Sequence, residues 1–345
     1  MNIPNELPSE EVGFEGPEKN FQVIFGHQDS ASLRSVSQSR WQLMLDHAKC
    51  KILSSIKNHY CTAYILSESS LFVYDDRVIL KTCGQTPLLL SVDDILSIGS
   101  DYGLKPAAVL YWRKNFTNPQ LQLSIHRSFS TEVEFLEAHF GVHGNTAQVG
   151  SLENDHWYFF YAELLDKKLF KPVFPTFEIK MHEVHTEVTK QFFWNNSKNP
   201  EIIEKIHSII PGSLIDEFFF DPCGYSMNGL IGVDYQTIHI TPEDFCSYVS
   251  FETTNEIYRE TRIKEFRVLE LFRPDSWTAV EISQKHSPDG LPDIPSYGVK
   301  ESSFITLGDS LTISFYSYET TESHPLSQVG KKRREGIANG IRQSQ

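Results

Sequence analysis

Hydrophobic and polar positions alternate along this chain in short blocks. From about Ser39 to Lys49, SRWQLMLDHAK sets Trp41, Leu45 and Ala48 at helical spacing behind a serine suited to N-capping. Four strand-like stretches follow, CKILSSI, CTAYILS, SLFVY and RVILKTC, the last two separated by the Asp75–Asp76 turn signal. VDDILSIGS then reads as a helix, AVLYW as a strand, and TEVEFLEAHFG as a helix opened by acids and closed by glycine. The second half repeats the mixture, with strands at HWYFFYAEL, TFEIKMHEV, CGYSMNGLIGV, YQTIHIT, CSYVSFE, WTAVEIS and LTISFYSYE. Helical spacing appears in NPEIIEKIHSII and in IYRETRIKEFRVLELF, which stops at Arg273–Pro274. Short turns between neighbouring strands predict largely antiparallel sheets. Helices at wide intervals predict that these sheets are covered, not stacked as an all-β sandwich. No repeat of obvious identity and no low-complexity linker divides the chain, so residues 10–325 read as one domain with flexible tails at 1–9 and 326–345.

Charge narrows the partners. The chain has 345 residues, and 45 acidic side chains against 31 basic ones leave a net charge of −14. That surplus argues against nucleic acid as the main partner and is compatible with a cationic ligand. No apolar run approaches the ~20 residues needed to span a bilayer, and the polar, acidic start lacks a signal core; we expect no membrane partner and a cytoplasmic location. The five cysteines, Cys50, Cys61, Cys83, Cys223 and Cys246, form no CxxC pair, so neither a disulfide framework nor a zinc site is expected. The basic run Lys331–Arg334 reads as solvated tail.

Three segments carry chemistry: GFEGPEK at 13–19, YILSESSLFV through ILKTCG at 64–84, and DPCGYSMNG through TIHITPE at 221–243. Taken singly, a serine pair after glutamate reads as a strand start and a histidine within a strand as a core residue. Taken together and in this order, they resemble the eukaryotic S-adenosylmethionine decarboxylases, a self-processing, pyruvoyl-dependent family, from about Phe14 to Glu252. The resemblance implies an α+β fold, a four-layer α/β/β/α sandwich of two mostly antiparallel sheets with helices on the outer faces. It implies S-adenosyl-L-methionine as substrate and a role in spermidine and spermine synthesis. It also implies a pyruvoyl cofactor generated from Ser69, with no metal and no pyridoxal phosphate.

By that resemblance, the Ser69 hydroxyl attacks the Glu68 carbonyl, turning an amide into an ester; elimination then leaves chains 1–68 and 69–345. Ser226 assists by hydrogen bonding, and His239 removes the α-proton. Imidazole suits that task because its ordinary pKa of ~6.5 leaves a neutral fraction at neutral pH. The pyruvoyl ketone takes the substrate amine as a Schiff base, and Cys83 returns a proton to the α-carbon. Phe14 and Phe220 sandwich the purine, Glu243 takes the ribose hydroxyls, and Leu66 and Glu68 offer backbone groups to the adenine edge. Glu15 and Glu18 carry over as active-site acids. On a strand, Phe218 and Phe220 share one face and Phe219 the other; register alone leaves open which face meets the site.

Many relatives of that family are stimulated by putrescine in a buried acidic site. Glu178 and Glu252 match two of its carboxylates, with Thr176 and Lys81 beside them. Phe174 and Gln22 stand where responsive members carry acids. Losing two negative charges weakens a dication site, so stimulation is expected to be weak or absent, with Lys81 supplying internal positive charge. The family includes homodimers and monomers, and assembly stays open. The rival readings are a non-catalytic paralogue that activates a catalytic partner, or a pyruvoyl decarboxylase for another amino acid. Retention of Ser69, Cys83, Ser226 and His239 disfavours the first, and the purine clamp with Glu243 disfavours the second.

Overall fold

The computed structural model describes residues 18–26, 31–196, 199–243, 246–255, 267–284, 294–308 and 311–321. Phe14 and Glu15, both tails and the first part of the expected 257–272 helix lie outside them. The first sheet contains β1 (Lys19–Phe25), β2 (Ile52–Lys57), β3 (Cys61–Leu66), β4 (Ser69–Tyr74), β5 (Arg77–Thr82), β6 (Pro106–Lys114), β7 (Asn145–Val149) and β8 (Trp157–Glu163). The second contains β9 (Thr176–Val184), β10 (Leu214–Phe219), β11 (Tyr225–Ile231), β12 (Asp234–Glu243), β13 (Cys246–Thr253), β14 (Pro274–Ser283), β15 (Tyr297–Leu307) and β16 (Leu311–Thr320). Their strand orders are β2-β3-β4-β5-β1-β6-β8-β7 and β10-β11-β12-β13-β9-β14-β16-β15. Adding eight to every strand of the first order gives the second, so the fold is an internal topological duplication that the two halves' side chains do not reveal. Every described strand pairing is antiparallel.

Alternation along the strands builds four layers. Phe21, Val23, Leu71, Val73, Val78 and Leu80 face outward from the first sheet onto α1 (Gln38–His47), α2 (Val92–Asp101) and α3 (Phe129–Phe140). Ile179, Met227, Ile238, Val249 and Phe251 face outward from the second onto α4 (Thr186–Thr189), α5 (Pro200–His207) and α6 (Arg267–Phe272). Between the sheets, residues such as Ile24, Trp112, Trp157, Val280 and Phe315 form an apolar layer. The expected four-layer α+β sandwich is therefore the observed fold.

The helix ends follow the expected chemistry with one shift. Ser37, not Ser39, caps α1, its hydroxyl accepting from the Arg40 N–H, because the helix begins two residues earlier than the apolar spacing suggests. Ser128 caps α3 at the Thr131 N–H, and Gly141 ends it at φ 66°. Strands β1, β7, β10 and β15 had no counterpart in the sequence reading. Strand β1, KNFQVIF, is buried on both faces and carries the amide side chains of Asn20 and Gln22 inward, so it lacks a clean alternation.

Candidate active site

Residues 67 and 68 form the turn of a two-residue hairpin joining β3 to β4, with Leu66 opposite Ser69. Both flanks pin it. The Ser67 N–H donates to Lys51 O at 2.8 Å, and the Cys83 N–H donates to Glu68 O at 2.9 Å. The Cys83 thiol donates to the same Glu68 carbonyl oxygen at 3.2 Å. Ser69 closes the turn at φ 137°, a left-handed backbone that costs a residue with a Cβ of order 1–3 kcal/mol. Strict alternation would send Ser69 outward with Leu71 and Val73; the positive φ turns it instead, and Ser69 and Ser70 both reach the space between the sheets.

There the partner is His239, on β12 of the opposite sheet. Its Nε2 lies 3.0 Å from Ser69 Oγ, 3.3 Å from Ser70 Oγ and 3.0 Å from Thr237 Oγ1. Its Nδ1 lies 2.8 Å from Ser226 Oγ. A proton on Nδ1, donated to Ser226, leaves the Nε2 lone pair facing Ser69. Ser70 donates to Asn228 Oδ1 at 2.7 Å, which keeps its proton away from that lone pair. Burial depresses His239 to about 4, opposed by Glu18 and reinforced by Lys81 and Lys180. The imidazole is thus wholly neutral at physiological pH and a weaker base than the ordinary pKa near 6.5 implied. Burial raises the half-buried Cys83 thiol well above its usual range, with Glu68 and Glu18 adding to the rise, so it stays protonated and able to donate.

A second cluster lies between the sheets. Lys81 pairs with Glu252 and, at 3.3 Å, with Glu178; Trp112 Nε1 donates to Glu178 at 2.8 Å. Lys180 pairs with Glu18 at 2.5 Å and with Glu178 at 3.0 Å, and all five ionisable groups are buried. Burial pushes Glu252 up to about 7, with Lys81 opposing and Glu178 reinforcing. Glu18 is driven well below the carboxylate range by Lys180 and Lys81 against its own burial. Thr176 is buried beside them, its hydroxyl donating to Phe174 O at 3.0 Å. Phe174 itself packs under the Arg77 guanidinium at 4.0 Å and against Tyr74 at 5.0 Å.

The remaining expected residues divide. Leu66 is buried at the end of β3, and the half-buried Glu68 carboxylate accepts from the Cys83 thiol at 3.7 Å. Phe218 sits opposite Ser226 across the β10–β11 ladder, and the Phe220 ring meets the Phe218 ring edge-on at 5.0 Å, while Phe219 packs on Tyr225 toward the outer core. The Phe218–Phe220 face is therefore the one that carries Ser226 and His239, which the sequence left open. For Glu243 only the backbone, at the end of β12, is described, and Phe14 and Glu15 lie outside the described residues. Sequence reasoning missed Ser70, Thr237, Asn228, Trp112 and above all Lys180. Lys180 stands two residues after Glu178 on a strand, so alternation placed it on the same face and was the available signal. No group of metal-ligand type occurs among the described residues, and no described helix is long and apolar enough to cross a membrane.

A family profile described as Adenosylmethionine decarboxylase matches residues 11–324. Curated proteins called S-adenosylmethionine decarboxylase proenzyme are similar over most of the chain. The one from Dictyostelium discoideum is 38% identical, covering 84% of this chain and 81% of its own. The one from Caenorhabditis elegans is 40% identical, covering 79% and 77%. Among solved structures, the Trypanosoma brucei AdoMetDC-delta26 monomer superposes with a TM-score of 0.57 at 24% identity, covering 73% of this chain and 99% of its own; that likeness concerns the fold.

Proposed function

Because the chain belongs to the adenosylmethionine decarboxylase family, we propose that it cuts its own Glu68–Ser69 bond and then releases carbon dioxide from S-adenosyl-L-methionine. One observation carries the reading. Ser69 Oγ is 3.0 Å from Nε2 of a buried, neutral imidazole, while the carbonyl it must attack is already held by two donors of Cys83. Attack of Oγ on the Glu68 carbonyl carbon forms the C–O bond, and breaking C–N returns a proton to the Ser69 nitrogen. The Cys83 N–H and thiol stabilise the oxyanion between these events. Ser69's left-handed backbone raises the energy of the intact turn and is relieved as the turn opens. His239 Nε2 then takes the Ser69 α-proton, the ester oxygen departs with Glu68 as a carboxylate, and hydrolysis of the enamine releases ammonia.

The group left at position 69 is a pyruvoyl ketone, which supplies a carbonyl to hold the substrate amine and to accept the electrons freed with the carboxylate. The Cys83 thiol, 3.2 Å from the Glu68 carbonyl oxygen and kept protonated by burial, supplies the proton that the product carbon needs. Strand β1 lies between β5 and β6, and β3 between β2 and β4, which supports the two pieces remaining one folded unit after cleavage. Phe220, with Phe14 and Glu243, is read as the adenosine site. The reading extends to a cytoplasmic enzyme serving spermidine and spermine synthesis. It also expects little or no putrescine stimulation: Phe174 fills one acidic position, Gln22 another, and Lys81 and Lys180 already pair with Glu178, Glu252 and Glu18.

The test is a denaturing gel and intact mass of freshly purified protein. Two pieces, the larger with a blocked amino terminus, are expected, and Ser69→Ala should give one. A single full-length chain that still releases carbon dioxide would overturn the proposal.

A further inference from the structure

Neighbouring strands of the second sheet align one row of side chains on its inner face. Lys180 lies opposite Ser250, Ser250 opposite His239, and His239 opposite Ser226. With strands ~4.8 Å apart, Lys180 stands about 10 Å along this row from His239. Glu18 bridges the gap from the other sheet. Its carboxylate accepts from Ser250 Oγ, from the Tyr248 hydroxyl at 2.7 Å and from Lys180 Nζ at 2.5 Å, so every contact that orients it comes from β13 and β9. Lys180 is fixed in turn by Glu178 at 3.0 Å and by the Trp157 ring, 5.0 Å from its ammonium.

The charge count leaves little slack. Three carboxylates, Glu18, Glu178 and Glu252, share two ammonium groups, Lys81 and Lys180. Without Lys180, three carboxylates would face one lysine in a region closed to water, where an unpaired charge takes up a proton. Glu18 would lose its nearest counter-charge, and burial would draw it toward the neutral form.

We propose that Lys180 is a positioning residue for self-processing: it clamps Glu18 as a fixed carboxylate beside His239 and so keeps the imidazole basic enough to remove the Ser69 α-proton. The inference rests on the self-processing reading above. Glu18 is the main group sustaining His239's proton affinity against burial; Lys180 itself opposes that affinity from about 10 Å along the row, but together with Lys81 it keeps the more influential Glu18 ionised. The attack of Ser69 on Glu68 needs only the hairpin, Cys83 and an acceptor for the hydroxyl proton; the α-proton is far less acidic and demands the stronger base. Loss of Lys180 should therefore hold the chain at the ester.

Hydroxylamine cleaves esters and not amides, so it reads that state directly. Wild type, Lys180→Met, Lys180→Arg, Glu18→Gln and Glu18→Gln/Lys180→Met are produced by short pulse translation and chased with and without hydroxylamine. We expect Lys180→Met to form the pyruvoyl chain about tenfold more slowly and to show a hydroxylamine-released 1–68 fragment that wild type lacks. Lys180→Arg, which keeps the charge, should process within about threefold of wild type. The double variant removes one charge of each sign and, with Glu18 already gone, should process no more slowly than Glu18→Gln alone. Equal processing by Lys180→Met, slowing with no trapped ester, or a double variant much slower than Glu18→Gln would each overturn the inference. Should Lys180→Met fail to fold, the comparison of the double variant with Glu18→Gln still decides. A wild type that never cleaves would instead defeat the self-processing reading itself.

Discussion

Cys83 touches the Glu68 carbonyl in two ways, and substitution separates them. Its backbone N–H, 2.9 Å from Glu68 O, continues the β4–β5 ladder beyond Ser69–Thr82 and survives any side-chain change. Its thiol, 3.2 Å from the same oxygen, does not. Loss of a full-strength oxyanion donor costs roughly 10²–10³ in rate, and a thiol is a weak donor, so Cys83→Ala should slow self-cleavage by about tenfold, near 1.4 kcal/mol. Turnover should suffer more, because a positioned general acid contributes roughly 10²–10⁴. Cys83→Ser makes the separation sharper. A hydroxyl is a better hydrogen-bond donor than a thiol and a far weaker acid, so processing should match or exceed that of Cys83→Ala while turnover stays low. The assay is a pulse-chase gel for the appearance of residues 1–68, followed by carbon dioxide release from carboxyl-labelled S-adenosylmethionine by the processed fraction. Cys83→Ser that processes normally and also turns over normally would refute the assignment of the thiol as proton donor. Cys83→Ala that folds but never cleaves would refute the claim that the backbone donor suffices.

Three further outcomes follow from the same geometry. His239→Ala should complete the acyl shift and stop, giving a chain that hydroxylamine splits at residue 68 and buffer does not; a chain resistant to both would place His239 in the first step instead. Stability should fall as pH drops from 6.5 toward 4.5. Burial holds His239 and His126 to about 4, so over that interval the unfolded chain binds two protons that the folded chain refuses, while Glu252, at about 7 when folded, offsets one of them. The net loss is one group over two pH steps, about 3 kcal/mol at most, and a urea midpoint that is flat or rising toward pH 4.5 would contradict it. Added putrescine should leave wild-type turnover unchanged across a dose series, and a clear stimulation would show that Lys180 and Phe174 do not close the diamine site.

The legible part of the sequence was what alternates or caps. CTAYILS, SLFVY and RVILKTC gave β3 to β5 nearly to the residue, and Gly141 gave the end of α3, because each obeys one local rule. Strand β1 was not legible, since Asn20 and Gln22 face inward where alternation expects apolar residues, and Glu18 just before it is satisfied by Lys180, Tyr248 and Ser250 of the other sheet. The motif residues Ser69, Cys83, Ser226 and His239 were legible as a set, yet their contact depends on the pairing of two sheets that no local pattern encodes. Ser69's φ of 137° was equally invisible, because serine carries no preference for it; the hairpin and the Cys83 ladder impose it from outside.

The duplication explains why the junction can be both strained and rigid. Strands β3 and β4 of the first sheet correspond to β11 and β12 of the second, and the two hairpins meet across the interface: Ser69 and Ser70 from one, Ser226, Asn228, Thr237 and His239 from the other. In the second hairpin the corresponding turn is the relaxed Gly232–Val233 pair, with glycine taking the positive φ of 56°. In the first, the turn is Ser67–Glu68, and the positive φ falls on the serine that follows. In the proposed self-processing, one copy keeps an ordinary turn and supplies the base, while the other carries a residue that resists its backbone and supplies the bond to be broken. Replacing Ser69's surroundings one residue at a time should then be least tolerant where the two copies touch, at Asn228 and Thr237, although neither is a reacting group.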